Sequence, residues 1–162
     1  RSESRCLHAR VLAMQAELGD EAGIGWTLQM LGRLALDEGN LVEARDRVRE
    51  AMQIFEKGDD EFGIATSRQL LAEILIEEGE TLEATPMLNE ALSTYQQRFD
   101  ERGIAEVQEK LAMIALTEGR TDVAQALLTD SEAARHRGGW VVPLCDRSRL
   151  DEIRGRLSVA AK

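Results

Sequence analysis

The chain has 162 residues, 43% hydrophobic and 31% charged, with 30 Asp and Glu against 20 Lys and Arg. A formal charge of −10 argues against direct nucleic-acid binding, which needs clustered Lys and Arg to neutralise phosphates. Two prolines and 4% aromatics disfavour a β-rich domain, and no apolar run approaches the ~20 residues that span a bilayer.

The two cysteines, Cys6 and Cys145, sit outside any CxxC motif, and no signal-peptide pattern opens the chain. Both features predict a reducing, cytoplasmic compartment and no membrane partner. Residues 1–19 read as one helix. Glu3, Ser4 and Arg5 fall in register with Glu43, Ala44 and Arg45, so this helix is the expected second half of a truncated repeat. A chain opening on Arg1 in mid-repeat reads as a fragment of a longer protein.

The repeat then declares itself. Asp20-Glu21-Ala22-Gly23-Ile24 recurs as Asp60-Glu61-Phe62-Gly63-Ile64 and Asp100-Glu101-Arg102-Gly103-Ile104, each step being 40 residues. Glu38-Gly39, Glu78-Gly79 and Glu118-Gly119 keep that step, as do Ala44, Ala84 and Ala124. Three markers in register define repeats at 20–58, 59–98 and 99–137. The first helix of each runs between the two markers. Ile24, Leu28, Leu31 and Ala35 in one copy, and Ile104, Val107, Leu111, Ile114 and Ala115 in another, line one helical face. The marker glycines sit where a left-handed residue ends a helix, and Asn40, Thr81 and Thr121 are the expected N-caps that restart it.

The second helices carry Ala44, Val48, Ala51 and Phe55, then Ala84, Leu88, Ala91 and Tyr95, then Ala124, Leu128 and Ser131. Nine equivalent positions, Gly32, Ala72 and Ala112 with Ala44, Ala84, Ala124, Ala51, Ala91 and Ser131, are all small. Small residues let helix axes approach closely, so each hairpin is expected to pack tightly and stack on the next. Pro86 predicts a kinked or late-starting helix. Beyond Gly138-Gly139-Trp140, Pro143 is expected to precede a capping helix within 143–160, its apolar set being Leu150, Ile153, Leu157 and Val159.

The segment Leu28-x-x-Leu31-Gly32-x-x-Ala35, followed by Ala44, Val48 and Ala51, resembles the tetratricopeptide (TPR) repeat. The usual unit is about 34 residues, so the longer step here is a departure that implies longer helices on the same seam. The resemblance implies an all-α, right-handed superhelical solenoid of antiparallel helix pairs, about eight helices in all. The junction is also similar to those in the TPR segments of large bacterial ATP-binding signalling and transcription regulators, and in animal spindle-orientation adaptors. The Ala- and Arg-rich, Lys-poor style favours the bacterial group.

Arrays of this family bind through the first helix of each pair. The resemblance thus implies groove positions at Trp26, Gln29 and Arg33, then Thr66, Gln69 and Glu73, then Glu106, Glu109 and Met113. The Lys and Asn with which some TPR modules grip a C-terminal carboxylate are absent from these positions. One aromatic, one Arg, two amides and three carboxylates imply a protein or peptide partner of basic character, with Trp26 as its anchor. The same residues also fit a plain solvated face.

Catalytic chemistry is not expected. His8 and His136 stand far apart in sequence, no Ser-His-Asp or Cys-His set can be assembled, and no phosphate loop or metal-ligand spacing occurs. The acidic junctions are better read as helix caps than as a cation site. The expected role is a non-catalytic interaction module, without cofactor, inside a larger regulator. Two alternatives stand beside it: a ligand-sensing domain, and self-association through Leu7, Val11 and Leu12 of the first helix.

Overall fold

The computed structural model describes residues 2–139, 151 and 153–157, with side chains from residue 7 onward. The chain is all-α: α1 Ser2–Leu18, α2 Glu21–Asp37, α3 Leu41–Lys57, α4 Glu61–Glu78, α5 Thr81–Gln97, α6 Glu101–Thr117 and α7 Thr121–Gly138. Residues 151 and 153–157 are helical as well, and no strand occurs among the described residues. None of the described helices is long and apolar enough to cross a membrane. Trp140, Pro143, Cys145, Leu150 and Val159, and the Cys6 side chain, lie outside the described residues. The helices belong to two compact units, Arg1–Met87 and Leu88–Lys162. In the first, α1 packs on α2, α2 on α3, and α3 on α4; in the second, α6 packs on α7.

Helix starts follow the acidic junctions. Asp20 Oδ1 accepts from the Gly23 N–H at 2.9 Å, Asp60 Oδ1 from Phe62 and Gly63 at 3.1 and 3.0 Å, and Asp100 Oδ1 from Gly103 at 3.1 Å. These carboxylates satisfy N–H groups that no helical carbonyl reaches, and they sit at the positive end of the helix dipole. Asn40 caps α3 as expected, accepting from the Glu43 N–H at 3.3 Å while its amide donates to the Glu43 carboxylate at 2.9 Å. Thr81 and Thr121 are not caps. Each is the first helical residue, and Arg120 precedes α7 with no side-chain cap bond.

Helix α5 starts at Thr81, where the Ala84 N–H donates to the Glu80 carbonyl at 3.2 Å, so Pro86 does not delay it. Proline removes the bond to the Leu82 carbonyl, and Leu82 is 85% exposed, so water satisfies that carbonyl at little cost.

Helix ends show a second regularity. Gly39, Gly79 and Gly119 adopt φ of +75°, +84° and +75°, the left-handed stop expected of them. At the other junctions the register Gly19, Asp59, Phe99, Gly139 is also left-handed, with φ of 52° at Asp59 and 56° at Phe99. Asp tolerates this conformation through local hydrogen bonding, whereas a bulky side chain is strained in it. Phe99 is 84% exposed and recovers little burial in return. Phe99→Gly is therefore expected to stabilise the protein by about 1 kcal/mol. Thermal denaturation checks this, and a loss of stability would show that the ring makes contacts worth more than the strain.

All nine small seam positions are buried. A Cβ on Gly32 would lie 2.5 Å from Val48 Cγ2, so α2 and α3 meet with no room for a methyl group. In the first unit Ala35, Ala44, Val48, Leu70, Leu71 and Ile74 form one cluster, and Leu28, Ala51 and Phe55 form another. In the second, Ala112, Ala115, Ala124 and Leu128 enclose Ile153, which is 1% exposed, with Leu157 packed alongside. Ile153 and Leu157 thus pack on the α6–α7 pair.

The repeating glycine of the junction has its own cause. A Cβ on Gly63 would stand 2.4 Å from ring carbons of Phe55, and one on Gly103 would stand 2.6 Å from Tyr95 Cγ. The aromatic ring at the end of one repeat lies directly on the first turn of the next.

One ion pair also recurs. Lys57 near the end of α3 donates to Glu21 at the start of α2 at 2.9 Å, and Arg137 on α7 grips Glu101 of α6 through two 2.8 Å bonds. The Arg137 hydrogen bonds, aided by its charge, hold the Glu101 carboxyl below its ordinary value of 4.5. A depressed folded-state value means that the pair contributes above the ordinary carboxylate range and is lost as pH falls through the folded value. In Arg137→Gln the Glu101 carboxyl is expected to titrate back near its ordinary value, as read by carboxyl NMR. An unchanged titration would show that another group sets it.

Candidate functional site

The first helices bring two of the three expected groove sets together. Successive repeats place α2 and α4 side by side, and equivalent positions 40 residues apart come into contact, as the Arg33–Glu73 pair shows. The guanidinium of Arg33 forks onto Glu73, with one bond at 3.0 Å and a second, shorter one to Oε2. Gln69 donates to the same carboxylate at 3.4 Å. One turn earlier, Gln29 donates to Thr66 Oγ1 at 2.9 Å and to Ser67 Oγ at 3.1 Å. Thr66 returns its own proton to the carbonyls of Phe62 or Gly63 at 3.1 and 3.0 Å. Gln29, Gln69 and Glu73 are buried, while the Arg33 side chain remains 39% exposed.

Trp26 is half-buried and not a free-standing anchor. Its ring centroid lies 4.8 Å from Phe55 and 5.9 Å from Phe62, in tilted contacts that continue the Leu28–Ala51–Phe55 cluster. One edge of the indole is therefore structural, and only the remainder faces outward.

The third set is divided. Glu106 accepts from exposed Arg102 at 2.8 Å on its own helix. Glu109 turns instead to α7, where it pairs with buried Arg135 and accepts from the Ser131 hydroxyl at 3.4 Å. Met113 packs on the Ala112–Leu128–Ile153 cluster. Glu109 and Met113 thus serve the seam between α6 and α7.

Arg102, Arg135 and Ser67 were not among the expected site residues, yet they decide how the carboxylates and amides are used. Register carried part of this signal, since Arg33 and Glu73 are opposite charges one repeat apart. Arg135 carries a weaker one, occupying the position where earlier repeats place Phe55 and Tyr95.

Each of the three expected carboxylates has an arginine partner, so none of them stands as an uncompensated negative charge. Among the described residues no cluster of His, Cys, Asp or Glu could hold a metal ion. His8 is half-buried on α1 and His136 exposed on α7. What the arrangement offers is a stiff polar row between α2 and α4, bordered by an indole edge and a partly open guanidinium. The chain matches no protein-family model and no curated protein.

Proposed function

We propose that this chain is a non-catalytic, TPR-like interaction module of a larger regulatory protein, binding a peptide segment along its first helices. The observation that supports it most is the cross-repeat row Gln29–Thr66–Ser67 and Arg33–Glu73–Gln69. Side chains locked to one another lose little entropy when a partner arrives, which raises the affinity of a surface for a segment that fits it. The indole edge of Trp26 supplies apolar contact beside that row. A basic partner competes for carboxylates that already have arginines. Glu106, whose partner Arg102 is 70% exposed, is the one displaced at least cost.

Labelled helical peptides carrying paired Lys or Arg and one aromatic residue test this reading. Binding is expected to wild type, to fall about tenfold in Trp26→Ala, and to fall less in Glu106→Gln. Because Trp26 also touches Phe55, circular dichroism must show Trp26→Ala folded at the assay temperature. Equal weak binding to all three proteins would sink the assignment.

A further inference from the structure

Three helices of the first unit enclose a small pocket. Arg45 and Arg49 of α3, Leu71 and Leu75 of α4, and Glu83 and Met87 of α5 line a cavity of about 70 Å³. By helical periodicity Leu71 and Leu75 lie on the face of α4 opposite Gln69 and Glu73, so the pocket is independent of the peptide-binding row. Its floor belongs to the core: Leu71 is buried, and Met87 packs with it on the cluster of Ala44, Val48 and Ile74.

The charges are not part of that packing. Arg45 and Arg49 stand four residues apart on one helical face, where like charges oppose each other. Glu78 neutralises Arg45 through an ion pair. Arg49 and Glu83 are both exposed, and neither side chain has a hydrogen bond or ion pair among the described residues. Opposite charges that line one pocket without meeting leave room between them. One repeat later the six positions are Thr85, Asn89, Leu111, Ala115, Val123 and Leu127. None of these is charged, so the seam itself does not call for the charges.

From this arrangement we infer that the pocket binds a small zwitterion, an α-amino acid with a short apolar side chain such as alanine. Its carboxylate accepts from the Arg49 guanidinium, whose planar fork matches two oxygens. Its ammonium donates to Glu83, and its side chain rests on Leu71, Leu75 and Met87. A plain anion would face the Glu83 carboxylate, and a plain cation would face Arg49. Size limits the ligand as well. A water takes roughly 10–15 Å³ of such a cavity, so about five to seven water-sized atoms fit. That admits alanine and excludes the ring of phenylalanine. So few atoms, held by solvated charges, bind in the millimolar range.

Titration of the 162-residue chain with L-alanine, read at the Met87 methyl by carbon-13 NMR, tests the inference. Met87→Leu identifies the signal. The expected result is a saturating shift with a midpoint of about 1–10 mM. Acetate, ethylamine and L-phenylalanine are each expected to bind at least about tenfold more weakly. Arg49→Gln and Glu83→Gln should each weaken alanine binding about tenfold, with thermal unfolding unchanged because both side chains are exposed. A Met87 signal that alanine leaves unmoved overturns the proposal. Acetate, ethylamine or phenylalanine binding as tightly as alanine also overturns it, because paired charge and size would then select nothing. So does alanine binding that survives either substitution undiminished.

Discussion

Glu109→Ala is expected to destabilise the protein by about 3–5 kcal/mol, the usual cost of removing one member of a buried ion pair. The side chains of Arg135 and Glu109 are 8% and 12% exposed, so water cannot replace the lost carboxylate. The seam Ser131 hydroxyl loses its acceptor in the same step. Arg33–Glu73 makes the useful contrast. Its arginine is 39% exposed, and Glu73→Ala is expected to cost clearly less because solvent reaches the stranded guanidinium. Buried ion pairs are seldom better than well-packed apolar groups, so Glu109→Leu/Arg135→Met should recover most of the loss. Urea denaturation followed by circular dichroism measures all three. A loss under about 1 kcal/mol for Glu109→Ala would mean that the arginine escapes to solvent.

The second large effect lies at the Phe55–Gly63 contact. Phe55 is 1% exposed, and Phe55→Ala is expected to cost about 3–5 kcal/mol through lost burial and the cavity left between α3 and α4. Gly63→Ala makes the sharper test, because two principles oppose each other there. Helix propensity favours Ala over Gly by about 1 kcal/mol. A Cβ placed 2.4 Å from the Phe55 ring forces the helices apart, an overpacking cost of about 1–3 kcal/mol. Steric conflict wins, and Gly63→Ala should destabilise. In a Phe55→Ala background the ring is gone, and the same substitution should become neutral or stabilising. Additive effects in this double-mutant cycle would refute the contact as the reason for glycine.

The helices were legible because several local rules agree at each boundary. Asp60 and Asp100 announce α4 and α6, and Gly79 and Gly119 announce the ends of α4 and α6, each through chemistry confined to one turn. The nine small positions were legible for a related reason, since only a close helix approach explains them in register. Thr81 and Thr121 were misassigned by one residue. A left-handed glycine leaves a single linking residue, so the helix begins at the threonine itself.

The candidate site was far less legible. Position along a repeat tells which helix carries Glu109, but whether its carboxylate meets solvent or α7 depends on Arg135, 26 residues onward. Trp26 shows the same difficulty, because its ring answers to Phe55 and Phe62 on neighbouring helices. Polar and aromatic side chains are assigned by their partners, and partners in a repeat protein lie a full repeat or a full helix away.

The aromatic ring seated on glycine also bears on how such a chain can grow or shrink. Phe55 precedes Gly63, and Tyr95 precedes Gly103, by the same eight residues. Removing or duplicating any window of 40 residues, wherever the cuts fall between Gly23 and Tyr95, leaves each retained ring eight residues ahead of a glycine. A window one residue longer or shorter that severs this spacing drives a ring into a side chain and a glycine into empty space. The heritable module is therefore a length, not a helical hairpin, and recombination that respects the length is free to ignore the boundaries of the helices.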